Sequence, residues 1–82
     1  MVEVTFTEEF RDVFVRIKDK SLKDRILKQI EKIKTNPGVG KPMRNSRKGT
    51  RELYVKPFRL SYEYFGDSNC VYILDLYHKK NQ

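Results

Sequence analysis

Residues 51–77 read RELYVKPFRLSYEYFGDSNCVYILDLY, and the spacing of apolar side chains in this stretch decides the fold. From about Arg51 to Lys56, Leu53 and Val55 alternate with Glu52, Tyr54 and Lys56, the period of a strand with one buried face. Pro57 interrupts the run because it has no amide to give to a ladder. From Phe58 to Phe65 the pattern resumes, with Leu60, Tyr62 and Tyr64 on one side and Arg59, Ser61 and Glu63 on the other. Gly66-Asp67-Ser68-Asn69 has hairpin-turn composition. The last run, Cys70 to about Tyr77, carries apolar side chains at both parities, which predicts a central strand covered on both faces. Three consecutive strands joined this way predict an antiparallel meander.

Upstream, Val2, Val4 and Phe6 alternate with Glu3, Thr5 and Thr7, a further half-buried strand. Thr7 reads as a helix N-cap with Glu8 and Glu9 in the favourable end of the dipole, and Phe10, Val13, Phe14 and Ile17 form an apolar stripe of about three turns. Ser21 and Asp24 resemble a capping box opening a second helix, with Leu22, Ile26, Leu27, Ile30 and Ile33 on one face. Asn36-Pro37-Gly38 ends it, since proline cannot continue a helical ladder. Residues 39–50 read as loop. The order β-α-α-β-β-β predicts an α+β fold: an N-terminal strand, a helical hairpin, then a three-stranded meander, with the hairpin lying on an antiparallel sheet.

The chain has 82 residues, which predicts one domain over 1–82. No apolar run is long enough for a membrane span, and Met1-Val2-Glu3-Val4 has neither a basic nor a long apolar segment, so the expected location is the cytoplasm. One cysteine, Cys70, excludes an internal disulfide; one histidine, His78, excludes a Cys/His zinc cluster. The expected cofactor is none, and the expected metal is none. No glycine-rich phosphate loop and no serine or metalloprotease signature is present.

Charge supplies the first functional signal. The chain carries 18 basic and 11 acidic residues, net +7. Between Lys41 and Arg59 there are seven basic residues and one acid, and Lys79 and Lys80 follow near the end. This concentration predicts a polyanionic partner. Arg44, Arg47, Lys48, Arg51, Lys56 and Lys80 are the candidate phosphate-contacting cations, and Tyr54 and Tyr77 the candidate base-stacking aromatics.

Cations, tyrosines and one histidine suit cleavage of RNA by its own 2′-hydroxyl, which needs a base, an acid and positive charge around the phosphorane. His78 is the candidate proton-transfer group and Arg59 the candidate phosphate clamp. Arg59 lies in the strand whose hairpin pairs with the last one, so the two are expected to approach across the sheet.

The segments Thr7-Glu8-Glu9-Phe10, Asn36-Pro37, Gly40-Lys41-Pro42, Phe58-Arg59-Leu60-Ser61-Tyr62 and Leu76-Tyr77-His78-Lys79 together resemble the RelE/ParE toxin superfamily, and within it the RelE- and YoeB-type mRNA interferases. The resemblance implies a RelE-like microbial RNase fold and a toxin of a type II toxin–antitoxin system. It implies three partners: a cognate antitoxin, mRNA and the ribosome, with cleavage in the A site. Arg59 then matches the phosphate-stabilising arginine, His78 the acid/base histidine of the YoeB branch, and Lys79 the place of a catalytic arginine in the RelE branch. Glu52 and Tyr54 align with the two strand lysines of the RelE branch and are stand-ins for the base. The C-terminal tyrosine of either branch is absent. Two alternatives share the resemblance: a ParE-like DNA gyrase inhibitor without RNA cleavage, and an inactive relative that only binds an antitoxin.

Overall fold

In the computed structural model, which describes residues 2–78, the chain runs β1 (Glu3–Phe6), α1 (Glu8–Arg16), α2 (Lys20–Thr35), β2 (Lys41–Pro42), a 3-10 turn (Asn45–Arg47), β3 (Arg51–Val55), β4 (Phe58–Phe65) and β5 (Cys70–His78). The sheet order is β1-β5-β4-β3-β2. The meander and its turns follow the sequence pattern closely. The sheet is mixed rather than antiparallel, because β1 pairs with β5 in parallel, Glu3 opposite Cys70 through Phe6 opposite Ile73. Residues 39–50 are more ordered than a loop: Lys41 and Pro42 pair with Glu52 and Arg51, and the 3-10 turn follows.

Thr7 caps α1 by accepting from the Phe10 amide, as its position predicts. The start of α2 differs. Asp19, not Ser21, is the N-cap, its carboxylate accepting from the Leu22 amide, so the connection between the helices is shorter than Ser21 implies. Leu22, Ile26, Ile30 and Ile33 face the core, whereas Leu27 is 47% exposed and lies off that stripe. They pack with Phe10, Val55, Leu60, Tyr62, Val71, Ile73 and Leu76.

β5 is the informative strand. Val71 and Ile73 are buried, and so is Leu76, three positions on. A β-bulge accounts for the change of parity: Ser61 faces Asp75 while Tyr62 faces Ile73, leaving Leu74 as the extra residue. The Leu74 carbonyl accepts from the Thr7 hydroxyl at 2.6 Å and the Ile73 carbonyl from the Thr7 amide, so the bulge is held by the cap of α1. The apolar residues at both parities therefore do not mean cover on both faces. One face is covered by helices, and the other leaves Tyr72 39% exposed.

Tyr62 ties the loop after α2 to the core. Its buried hydroxyl accepts from the Gly40 amide at 2.8 Å and donates to the Pro37 carbonyl at 2.7 Å. A Cβ at Gly40 would stand 2.7 Å from Cε1 and Oη of Tyr62. Gly40→Ala is therefore expected to destabilise the fold by about 1–3 kcal/mol, the scale of overpacking in a filled site. Thermal denaturation reads this directly, at roughly 4–8 °C per kcal/mol for a domain of this size.

Burial also raises the Tyr62 phenol above its ordinary value of 10.0. The unfolded chain then releases that proton at lower pH than the folded one, so the contribution of this phenol is fully present below about pH 10 and is lost as pH rises past it. Denaturation midpoints at pH 8 and 10.5 are expected to show the fall, and Tyr62→Phe to reduce it. Equal midpoints in the wild-type protein would contradict the assignment.

Candidate phosphate site on the open sheet face

The face of the sheet away from the helices gathers the charged groups, and strand alternation explains which ones. Leu53 and Val55 of β3 pack toward the core, so Glu52 and Tyr54 face out. On β4, Leu60 is buried and Arg59 faces out, opposite Tyr54 on one side and Tyr77 on the other. Tyr77 joins this face because of the bulge, which reverses the parity of β5 after Leu74.

Glu52 is the centre of the cluster. Its side chain is 2% exposed. Arg47, reaching back from the 3-10 turn, donates to Oε2 at 2.9 Å, and the Tyr77 hydroxyl donates to the same oxygen. Arg47 also hydrogen-bonds the Tyr77 hydroxyl and lies over its ring, 4.8 Å from the centroid. Arg59 Nη1 stands 3.6 Å from Oε1, and its guanidinium sits 5.7 Å from the Tyr54 ring centroid. A buried carboxylate would be costly alone; two guanidiniums and a phenol make it tolerable here. Burial, followed by the hydrogen bond and charge of Glu52, raises the Tyr77 phenol above 10.0, so it is a protonated donor. The Tyr77 hydroxyl first, and the Glu52 carboxylate beside it, raise the Arg47 guanidinium above its ordinary value despite some desolvation.

The cluster is not saturated. Oε1 of Glu52 and Nε of Arg59 are both buried without a hydrogen-bond partner. Each such group costs about 1–3 kcal/mol of lost solvation. Arg59 thus keeps an unused donor on its fork, and phosphate is an anion whose paired oxygens match that fork.

Of the residues expected to act together, Arg47, Tyr54, Arg59 and Tyr77 converge here. His78 does not join them. It is the cross-strand partner of Phe58, with the two rings 5.7 Å apart edge to face, on the side of the sheet where Phe58 packs against the core. Reading alternation outward from Val71 and Ile73 puts His78 beside Arg59; the bulge exchanges it with Tyr77. Arg51 points to the same side as Leu53, and its Nη1 donates to the Gly38 and Gly40 carbonyls, which anchors the loop. Arg44 and Lys48 are exposed on either side of the 3-10 turn, and Lys56 is exposed at the β3–β4 turn. Lys79 and Lys80 lie outside the described residues. Among the described residues no group of three or more His, Cys, Asp or Glu is placed to hold a metal ion, and no helix is long and apolar enough to cross a membrane.

Residues 4–82 match the family model described as ParE toxin of type II toxin–antitoxin system, parDE. No curated protein matches the chain. Among solved structures, the chain is similar to the RelBE2 toxin–antitoxin complex of Mycobacterium tuberculosis, at 26% identity over 95% of this chain and 98% of that one, with a TM-score of 0.74. It is similar to a YoeB/ParE toxin from Agrobacterium tumefaciens at 18% identity, covering 93% and 96%, with a TM-score of 0.81. It is also similar to the intact RelBE complex of E. coli at 10% identity, covering 93% and 94%, with a TM-score of 0.79.

Proposed function

Because this chain belongs to the ParE toxin family of type II toxin–antitoxin systems, we propose that it is a toxin that arrests translation by cutting mRNA through attack of the 2′-hydroxyl on the adjacent phosphate. The observation that carries this reading is the arginine pair of the open face. Arg47 and Arg59 flank one buried anion and leave Arg59 Nε without a partner, which suits a phosphodiester gaining charge as it reacts. Arg44, Lys48 and Lys56, all exposed, supply the field that draws the backbone in. Tyr54 is 49% exposed beside Arg59 and offers a ring for a neighbouring base. Lys79 and Lys80 add charge in sequence, and His78 is assigned to packing against Phe58 rather than to proton transfer.

On this reading the mRNA is met in the ribosome and a cognate antitoxin holds the toxin inactive in the cytoplasm. Two of the similar structures are toxin–antitoxin complexes, which supports a protein partner. An acidic segment covering Arg47 and Arg59 would block the site. The family model itself favours a second reading, inhibition of DNA gyrase without RNA cleavage, because it is a ParE model. The fold hosts both activities and does not choose between them.

Two assays on the purified protein separate them. In vitro translation is expected to stop at substoichiometric toxin, with gyrase supercoiling unaffected and translation restored by adding the antitoxin. Loss of supercoiling with normal translation would replace the nuclease reading by the gyrase one.

A further inference from the structure

We propose that Glu52 is the general base of the cleavage reaction and that Tyr77, hydrogen-bonded to it, is the proton donor to the leaving oxygen. The inference rests on the nuclease reading above. It adds the two residues that move the proton, roles that the sole histidine does not fill from the other side of the sheet.

The two oxygens of the Glu52 carboxylate differ in their surroundings. Oε2 is occupied, accepting from Arg47 and from the Tyr77 hydroxyl. Oε1 is buried and has no hydrogen-bond partner, with Arg59 Nη1 at 3.6 Å. A strand carboxylate of purely structural purpose is expected to have both oxygens satisfied. Here one oxygen is held ready beside the guanidinium that would bind the scissile phosphate. A 2′-hydroxyl adjacent to a phosphate on Arg59 is the donor that completes it.

Access is through Arg47. Its side chain is 44% exposed, and it is carried by a short turn rather than a strand. A phosphodiester competes with Glu52 for the guanidiniums of Arg47, on Oε2, and Arg59, beside Oε1, and their swing toward the RNA uncovers the carboxylate.

Oε1 takes the 2′-hydroxyl proton, and the 2′-oxygen forms its bond to phosphorus. The bond from phosphorus to O5′ breaks, its electron pair staying on O5′, which takes the Tyr77 phenol proton. Protonated Glu52 then releases its proton to solvent and the tyrosinate takes one up from solvent, which restores both groups. The RNA leaves as a 2′,3′-cyclic phosphate and a 5′-hydroxyl, and the protein is unchanged.

The test compares two synthetic mRNAs of one sequence, each bound in programmed ribosomes under single turnover. One has an ordinary phosphodiester; the other has sulfur in place of the bridging 5′-oxygen, a leaving group that needs no proton. Glu52→Gln is expected to cut both at least 100-fold slower than wild type while binding a 2′-deoxy analogue within a few-fold of wild type. Tyr77→Phe is expected to be slow on the oxygen substrate and to return within a few-fold of wild type on the sulfur one. Glu52→Gln that cuts within tenfold of wild type, that is rescued by sulfur, or that loses analogue affinity in step with cleavage would overturn the proposal. If the Gln variant does not fold, Glu52→Asp carries the test: it retains the charge but withdraws it by one methylene, so cleavage at least tenfold slower with unchanged affinity is expected, and a wild-type rate overturns it. Wild-type protein that binds but cuts neither substrate would remove the nuclease reading itself, an outcome distinct from a dispensable Glu52.

Discussion

Arg59→Ala is expected to slow single-turnover cleavage of ribosome-bound mRNA by at least 100-fold, with the affinity for RNA changed only a few-fold. The guanidinium is held between Glu52 and the Tyr54 ring, and its Nε has no partner within the protein. A phosphate oxygen seated there gains most when charge accumulates on the phosphorane, so the interaction is worth more in the transition state than in the bound substrate. Loss of one such donor costs about 10²–10³ in rate elsewhere. Arg59→Lys keeps the charge without the planar fork and is expected to fall between the two. The surrounding cations dilute the effect on binding, because ground-state attraction is shared with Arg44, Lys48 and Lys56. Cleavage by Arg59→Ala within a few-fold of wild type would remove the guanidinium from the site. A drop in affinity equal to the drop in rate would make it an anchor rather than a stabiliser of the reacting phosphate.

The second large effect is on stability. Ile26 is fully buried at the centre of the α2 stripe, within the cluster that includes Val55, Leu60 and Tyr62. Ile26→Ala is expected to cost about 2–5 kcal/mol, the loss of transfer energy plus an unfilled cavity. At 82 residues the total stability is about 4–12 kcal/mol, so this one change removes a large share of it. Leu27→Ala, the next residue, is the internal comparison: at 47% exposure it is expected to cost less than about 1 kcal/mol. Denaturant titration of both variants reads the contrast. Equal losses would mean that the helix is rotated from the orientation described.

Much of the fold was legible because its signals are local. Alternation marked β1, β3 and β4, the i, i+3, i+4 stripe marked both helices, and Pro37 and the Gly66-Asp67-Ser68-Asn69 turn marked their ends. The parallel pairing of β1 with β5 was not legible, since it joins the two ends of the chain and leaves no local trace. Nor was the two-residue β2, which exists only because β3 offers it a partner.

The site shows the sharpest difference. Arg59 and the basic loop were readable from charge and from the family resemblance. The choice between Tyr77 and His78 was not, because it depends on whether one residue of β5 is extruded. A bulge leaves a sequence signal only as a shift in parity of the buried residues, from Val71 and Ile73 to Leu76. The same shift reads equally as a strand buried on both faces, and only the cross-strand register resolves the two. Glu52 entered the reading only through the family resemblance, as one of two stand-ins for the base; an acid in a basic segment otherwise reads as a surface counter-charge, and its burial beneath Arg47 is a tertiary fact.

The most direct measurement is the chemistry of the fragment ends. Purified toxin incubated with programmed ribosomes is expected to yield an upstream mRNA fragment ending in a 2′,3′-cyclic phosphate and a downstream fragment beginning with a 5′-hydroxyl. Intact mRNA under these conditions, with gyrase supercoiling abolished by the same preparation, would contradict the account.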